Sequence, residues 1–123
     1  MVIMHKNYLI NKMKKQRHCL ALDLIDDTEL IAAYKKHHTK VWPEIISSIK
    51  AAGIIDLEIY LVANRLFMIM ETGDNFSFEL KEEMDKNNAK VQEWETLMWK
   101  YQKALPLAKP GEKWQLMDLI FKL

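Results

Sequence analysis

The middle of the chain reads Ile54-Ile-Asp-Leu-Glu-Ile-Tyr-Leu-Val62, then Ala63-Asn-Arg65, then Leu66-Phe-Met-Ile-Met-Glu-Thr72. The two longer runs are rich in β-branched and aromatic residues, which favour β-strands, and three residues are enough to connect them tightly. We therefore predict an antiparallel hairpin. Both strands carry apolar side chains on both faces, so each face of the sheet needs a cover.

Further strands and helices are predicted on both sides of this hairpin. Before the hairpin, the pattern predicts a strand over His18–Ile25 and a helix over Glu29–His38 capped by Asp27 or Thr28. Pro43 then either kinks this helix or opens a second one over Glu44–Ala52, which Gly53 closes. After the hairpin, the pattern predicts a helical region over Phe76–Leu105, which Asp85–Asn88 is able to divide, and a final strand over Trp114–Leu123. The order β-α-β-β-α-β is that of a ferredoxin-like α+β fold, in which helices cover one face of a four-stranded antiparallel sheet. A second copy of the chain is the simplest cover for the other face, so we expect a homodimer of the dimeric α/β-barrel type.

Length, charge and cysteine content limit the possible functions. At 123 residues the chain suits a single domain, with residues 1–17 as a basic N-terminal extension and residues 18–123 as the folded unit. The formal net charge of +1 is too small to attract nucleic acid or a membrane surface. The apolar runs are too short for an export signal or a membrane span, and the single cysteine, Cys19, has no partner for an internal disulfide. We expect a cytoplasmic protein with no metal site, whose partner is a small neutral molecule.

The first helical region contains a candidate site. Tyr34, His38 and Trp42 recur every fourth residue, and such residues line one face of a helix. A hydroxyl, an imidazole that titrates near neutral pH and a broad aromatic ring together suit a small polyol better than an ion or a peptide. Adjacent His37 points about 100° away, and we expect it to face solvent. The same stripe also fits a core face with His38 hydrogen-bonded at its edge, and spacing alone does not separate the two interpretations.

Several motifs extend over most of the chain. They are Tyr34-x-x-x-His38-x-x-x-Trp42-Pro-Glu44 in the first helical region, Glu58-Ile-Tyr60 and Asn64-Arg-Leu-Phe67 in the hairpin, Gln92-Glu-Trp94 and Trp99 in the second helical region, and Ile120-Phe-Lys-Leu123 at the end. With these motifs in this order, the chain resembles the L-rhamnose mutarotase family. The resemblance covers roughly Arg17 to Leu123.

The resemblance implies an activity and a set of roles. It implies a dimeric ferredoxin-like protein that interconverts the α and β anomers of a deoxyhexose, most simply L-rhamnose, without a metal or an organic cofactor. His38 is then the catalytic proton donor, and Tyr34 contacts the sugar. Trp99 matches one of two tryptophans that line the sugar site, and Trp94 matches the other.

Three further residues are candidates for contact with the substrate. The rings of Trp42 and Tyr60 are suited to the C–H faces of a sugar and to its methyl group. Arg65, in the hairpin, has a guanidinium that is able to bind a sugar hydroxyl.

Two departures from the family pattern bear on the identity of the sugar. The family has two adjacent tryptophans, whereas Trp94 and Trp99 are separated by five positions. A substrate-contacting tyrosine of the second strand is Leu57 in this chain. These departures keep L-fucose as the alternative substrate.

Mutarotation requires a proton on the ring oxygen while the anomeric hydroxyl loses one. A histidine with a pKa of about 6.5 gives and recovers a proton at cellular pH, an effect typically worth about 10²–10⁴-fold in rate. On this hypothesis protonated His38 serves the ring oxygen, and a second group or a held water takes the anomeric proton. The rival interpretations are a non-catalytic dimeric sugar-binding module, an RNA-binding sheet domain, which the low net charge disfavours, and a small dimeric oxygenase.

Overall fold

The computed structural model describes residues 15–123, which form five strands and four helices. In chain order they are β1 Gln16–Leu24, α1 Thr28–His37, α2 Pro43–Ala51, β2 Ile54–Val62, β3 Arg65–Thr72, α3 Phe78–Lys86, α4 Ala89–Trp99, β4 Gln102–Lys103 and β5 Gln115–Leu116. Most of the expected N-terminal extension lies outside the described residues. Its last two residues, Gln16 and Arg17, already belong to β1.

The predicted hairpin forms one edge of an antiparallel sheet. The strand order is β2-β3-β1-β4, and β5 pairs with β1 next to β4. The predicted α+β class is therefore confirmed, and the strand order is consistent with a ferredoxin-like sheet. The hairpin loop is shorter than predicted, because β3 begins at Arg65 and only Ala63 and Asn64 connect the strands.

The two faces of the sheet have different environments. Leu22 of β1 is opposite Leu66 of β3, and both are buried against the helices in the core. Residues of the other parity point away from that core, among them Tyr60, which is opposite Phe67 and 52 % exposed. Because side chains alternate along a strand, this parity decides which residues lie on the same face of the sheet.

Two helices, and not one, occupy the first helical region. Asp27 caps α1 by accepting a hydrogen bond from the Leu30 amide at 2.9 Å, and His38 follows the last helical residue. Pro43 is the first residue of α2, where its missing N–H costs nothing, and Trp42 before it is held outside the α region. The prediction of a continuous helical face through Tyr34, His38 and Trp42 is therefore wrong.

The second helical region and the C-terminal strand also differ from the prediction. Asn88 caps α4 and separates it from α3, as the sequence allowed, but α4 ends at Trp99 and is followed by the unpredicted strand β4. The predicted strand over Trp114–Leu123 is reduced to β5 and one further hydrogen bond, from the Met117 amide to the Cys19 carbonyl. Alternation alone does not make a strand, since a strand needs a neighbour to take up its hydrogen bonds.

The same C-terminal segment has a highly exposed apolar surface. Leu119 is 79 % exposed and Ile120 is 95 % exposed. Within residues 15–123, no helix is long and apolar enough to cross a membrane.

Candidate active site

The C-terminal end of α1 brings Tyr34 and His38 together. Their ring centroids are 4.4 Å apart, and the Nδ1 atom of His38 lies 2.9 Å from the Tyr34 carbonyl oxygen. A carbonyl oxygen only accepts, so Nδ1 carries the proton and donates it. In the neutral ring, Nε2 is then the atom with the lone pair, and it is able to accept a proton.

Trp94 of α4 joins this pair to Trp42. The Trp94 ring makes edge contacts with His38 at 5.7 Å and with Trp42 at 5.1 Å between centroids. Trp42 thus reaches the group through Trp94 and not along a common helix. Trp94 is only 7 % exposed, whereas His38 and Trp42 are half-buried. We refer to Tyr34, His38, Trp42 and Trp94 as the aromatic cluster.

The segment around β4 contributes two residues that the sequence did not single out. The Gln102 side-chain nitrogen lies 3.3 Å from the Tyr34 hydroxyl, and the Tyr101 hydroxyl lies 3.1 Å from Nε2 of His37. His37 is half-buried beneath Tyr101, so the expectation that it faces solvent is wrong. No motif surrounds Gln102, and only the pairing of β4 with the end of β1 brings it beneath α1.

Burial changes the protonation behaviour of both polar groups in the cluster. It lowers the pKa of His38 from the ordinary 6.5, the hydrogen bond to the Tyr34 carbonyl acts in the opposite direction, and the charge of His37 lowers the pKa again. Burial raises the pKa of Tyr34 to about 12, against the effect of the Gln102 hydrogen bond and with a contribution from the charge of Glu95. At neutral pH the cluster therefore combines a neutral imidazole, which is suited to act as a base, with a protonated phenol.

Trp99, the other tryptophan of α4, lies apart from His38. Five positions along a helix correspond to a rotation of about 140°, so Trp94 and Trp99 point in different directions. Trp99 is 38 % exposed, and its ring lies 4.6 Å from the Lys113 ammonium. That ammonium also bonds the Glu95 carboxylate at 2.5 Å. Trp94, and not Trp99, is the tryptophan that contacts His38.

Tyr60 and Arg65 lie on the opposite face of the sheet from the aromatic cluster. The Tyr60 hydroxyl donates to the Glu58 carboxylate at 2.6 Å, and Arg65 bonds both carboxylate oxygens of Asp23 at 2.7 and 3.1 Å. The sheet separates these side chains from His38 within one protomer. Leu57 does face the helices, but it packs in a separate apolar cluster around Leu20 and not in the aromatic cluster.

Two grooves of the structure lie away from the aromatic cluster. Two open grooves lie beside α2 and the α3–α4 junction, and Ser48 and Asn88 line both of them. Neither groove includes Tyr34 or His38. In the described part of the chain, no three His, Cys, Asp or Glu side chains are grouped closely enough to hold a metal ion.

Comparison with known proteins decides the family. The sequence matches the L-rhamnose mutarotase family over residues 17–123. The chain belongs to this family. The predicted class of activity is thereby confirmed: it is that of a sugar mutarotase, an isomerase.

Individual relatives extend this result. An L-fucose mutarotase of Xanthomonas campestris is 45 % identical over 113 residues, which are 90 % of each protein. A UPF0734 protein of Dictyostelium discoideum is 36 % identical over 107 residues, which cover 84 % of this chain and 86 % of that protein. The crystal structure of an L-rhamnose mutarotase from Formosa agariphila superposes with a TM-score of 0.63 at 22 % identity, covering 88 % of this chain and 98 % of the other, so it supports the fold alone.

Proposed function

We propose that the protein interconverts the α and β anomers of a 6-deoxyhexose at the aromatic cluster, with His38 as the residue that transfers the proton. One observation carries this assignment. The His38 imidazole is held by the Tyr34 carbonyl through Nδ1, is surrounded by aromatic rings, and has no hydrogen-bond partner for Nε2 among residues 15–123. That Nε2 atom is available to a bound sugar.

The neutral ring starts the reaction in this proposal, because burial lowers the pKa of His38. Nε2 accepts the proton of the anomeric hydroxyl O1 while the bond between C1 and the ring oxygen O5 breaks and the C1=O1 aldehyde forms. The imidazolium then returns the same proton to O5. O1 and O5 are both bonded to C1, so one imidazole is able to serve both. After rotation about the C1–C2 bond, ring closure reverses these steps on the other face of the aldehyde.

The other members of the cluster bind the sugar in this proposal. The Tyr34 hydroxyl remains protonated and donates a hydrogen bond, since its pKa of about 12 makes it a poor source of protons. Trp42 and Trp94 pack against the C–H face and the C6 methyl group. Trp99 contacts Lys113, and Tyr60 and Arg65 lie on the face of the sheet away from the helices, so the proposed site of one protomer does not include them.

L-Fucose is the favoured substrate, and L-rhamnose is the alternative. The 45 % identity to an L-fucose mutarotase supports this order, and the match to the L-rhamnose mutarotase family keeps L-rhamnose as the alternative. Leu57 and the separation of Trp94 from Trp99 are in agreement with it, since both depart from the family pattern on which the expectation of L-rhamnose rested.

The proposal includes a cytoplasmic homodimer. Tyr60 and Val62 are exposed on the face of the sheet opposite the helices, and the C-terminal segment exposes Leu119, Ile120 and Phe121. Exposed apolar side chains of this kind are typical of an interface. The single cysteine, Cys19, is unpaired, as is usual in a reducing compartment.

Saturation-transfer NMR between the anomeric protons of L-fucose and of L-rhamnose tests the catalytic assignment. His38→Ala should lower the exchange rate by about 10²–10⁴-fold. His18→Ala is the matched control, because His18 lies at the other end of β1 beside Thr72 and Phe78 and should leave the rate unchanged. An alanine variant of His38 as fast as the wild type would contradict the proposal.

A further inference from the structure

The side chain of Gln102 is a buried amide that is only half satisfied. The residue is 6 % exposed, and its nitrogen lies 3.3 Å from the Tyr34 hydroxyl. Its oxygen, Oε1, has no hydrogen-bond partner among residues 15–123. Buried polar groups are nearly always paired, so an unpaired one in the core beside a candidate active site calls for a physical reason.

The orientation of the Gln102 amide sets the direction of its hydrogen bond. The side-chain nitrogen faces the Tyr34 hydroxyl oxygen and donates to it, because an amide nitrogen has only N–H bonds to offer. Oε1 has no partner among residues 15–123. The Tyr34 oxygen therefore accepts from Gln102, and its phenol proton points away from Gln102.

Tyr101, the residue before Gln102, also contacts the C-terminal end of α1. The Tyr101 hydroxyl is 3.1 Å from His37, and the Tyr101 carbonyl accepts a hydrogen bond from the Ile25 amide at 2.8 Å. Gln102 itself pairs with Leu24 at the end of β1. Two consecutive residues thus fix two polar side chains in the last turns of α1, directly before His38.

We propose that Gln102 is a positioning residue that acts through Tyr34, by setting the direction in which the Tyr34 hydroxyl donates its hydrogen bond to the sugar. The inference rests on the proposed function and adds to it the source of the Tyr34 orientation. Gln102 does not touch the reacting atoms. Its contribution should therefore appear in the binding of the sugar and should depend on the presence of the Tyr34 hydroxyl.

A double-mutant cycle tests this dependence. Gln102→Met keeps the length of the side chain and removes its hydrogen bonds, and we expect it to raise KM for anomer exchange about threefold to tenfold with kcat largely unchanged. Tyr34→Phe should also raise KM. In the Tyr34→Phe background, Gln102→Met should cause no further increase, because the group that it orients is gone.

The control is Gln92→Met, which makes the same substitution on the exposed side of α4 and should leave KM unchanged. The inference would be overturned if the two increases in KM multiplied in the double variant, or if Gln102→Met left KM unchanged. Either result would leave the proposed function intact. If Gln102→Met does not fold, Gln102→Asn replaces it in the double-mutant cycle, because the shorter amide no longer reaches Tyr34. The same effects on KM are then expected. A wild type that accelerates the exchange of no deoxysugar would overturn the proposed function, and the inference with it.

Discussion

His38 combines an orientation and a protonation state that point to a base. The Tyr34 carbonyl selects the tautomer with the proton on Nδ1, and burial disfavours the imidazolium. The sequence had suggested a protonated ring that serves the ring oxygen. Burial favours the neutral ring as the starting state instead, because the transfer of a charge into a poorly hydrated site costs free energy.

The dependence of activity on pH should reveal this starting state. A base works when it is neutral, and burial lowers the pKa of His38, so kcat/KM should stay level from neutral pH to pH 8 and fall only on the acid side of a pKa below 6.5. The measurement is the anomer-exchange rate of L-fucose at low sugar concentration between pH 5 and 8. Activity that rises as the pH falls through 6.5 would favour the protonated ring instead.

The two tryptophans of α4 should differ in their effect on the sugar. Trp94 contacts His38, whereas Trp99 lies under Lys113. Trp94→Phe should lower kcat/KM about twofold to tenfold, which corresponds to the loss of part of an aromatic contact, and Trp99→Phe should leave it unchanged. Steady-state anomer exchange compares the two variants directly. A larger loss of kcat/KM in Trp99→Phe than in Trp94→Phe would indicate that Trp99, and not Trp94, contacts the sugar.

At the level of elements, Pro43 divides the first helical region and so shapes the cluster. Without the break, Trp42 would continue the line of Tyr34 and His38 along one helix. With it, the chain turns between His38 and Trp42, and both rings contact the Trp94 ring. The short connection between α1 and α2 therefore replaces a flat helical stripe with a group of rings that also includes one residue of α4.

The hairpin loop offers a test of backbone strain. Ala63 has a φ of +52°, in the left-handed region that costs an L-residue about 1–2 kcal/mol. Ala63→Gly should raise the free energy of unfolding by about 0.5–1 kcal/mol, since glycine removes that cost but loses more backbone entropy. Ala32→Gly, on the exposed side of α1, is the matched control and should lower the free energy by a similar amount. Urea unfolding measures both, and a destabilised Ala63→Gly variant would refute the strain argument.

At the level of the whole molecule, exposed apolar residues gather on two features, which are strand β2 at one edge of the sheet and the segment that follows β5. Tyr60 and Val62 lie on the face of the sheet away from the helices, and the segment after β5 exposes Leu119, Ile120 and Phe121. The segment alternates as a strand does, yet beyond the Met117 hydrogen bond to Cys19 no strand of residues 15–123 pairs with it. Both features have the composition of an interface with a second copy.

Light scattering coupled to size-exclusion chromatography tests the homodimer. The wild type should have twice the mass of the chain, and Phe121→Asp should shift it towards the monomer, because a charge in an apolar interface is costly to bury. Lys122→Asp is the control, since it alters the charge at the adjacent position without placing a carboxylate among apolar residues. A monomeric wild type, or a Phe121→Asp variant that remains dimeric, would count against this interface.

Sequence by itself determined the parts of this protein that depend on neighbouring residues. The hairpin strands and the pairing of Tyr34 with His38 follow from residue type and spacing. The sequence also limited the cap to Asp27 or Thr28 and Pro43 to a kink or the start of a second helix, and the structure selects Asp27 and the second helix. Parity along β2 also separates Tyr60 from the core side of the sheet, although the residue types alone made it a candidate. Tertiary structure decided which tryptophan meets His38, how Gln102 reaches Tyr34 and why the C-terminal alternation does not become a strand. These contacts join residues far apart in the chain, and their formation depends on burial and on strand partners that no local pattern encodes.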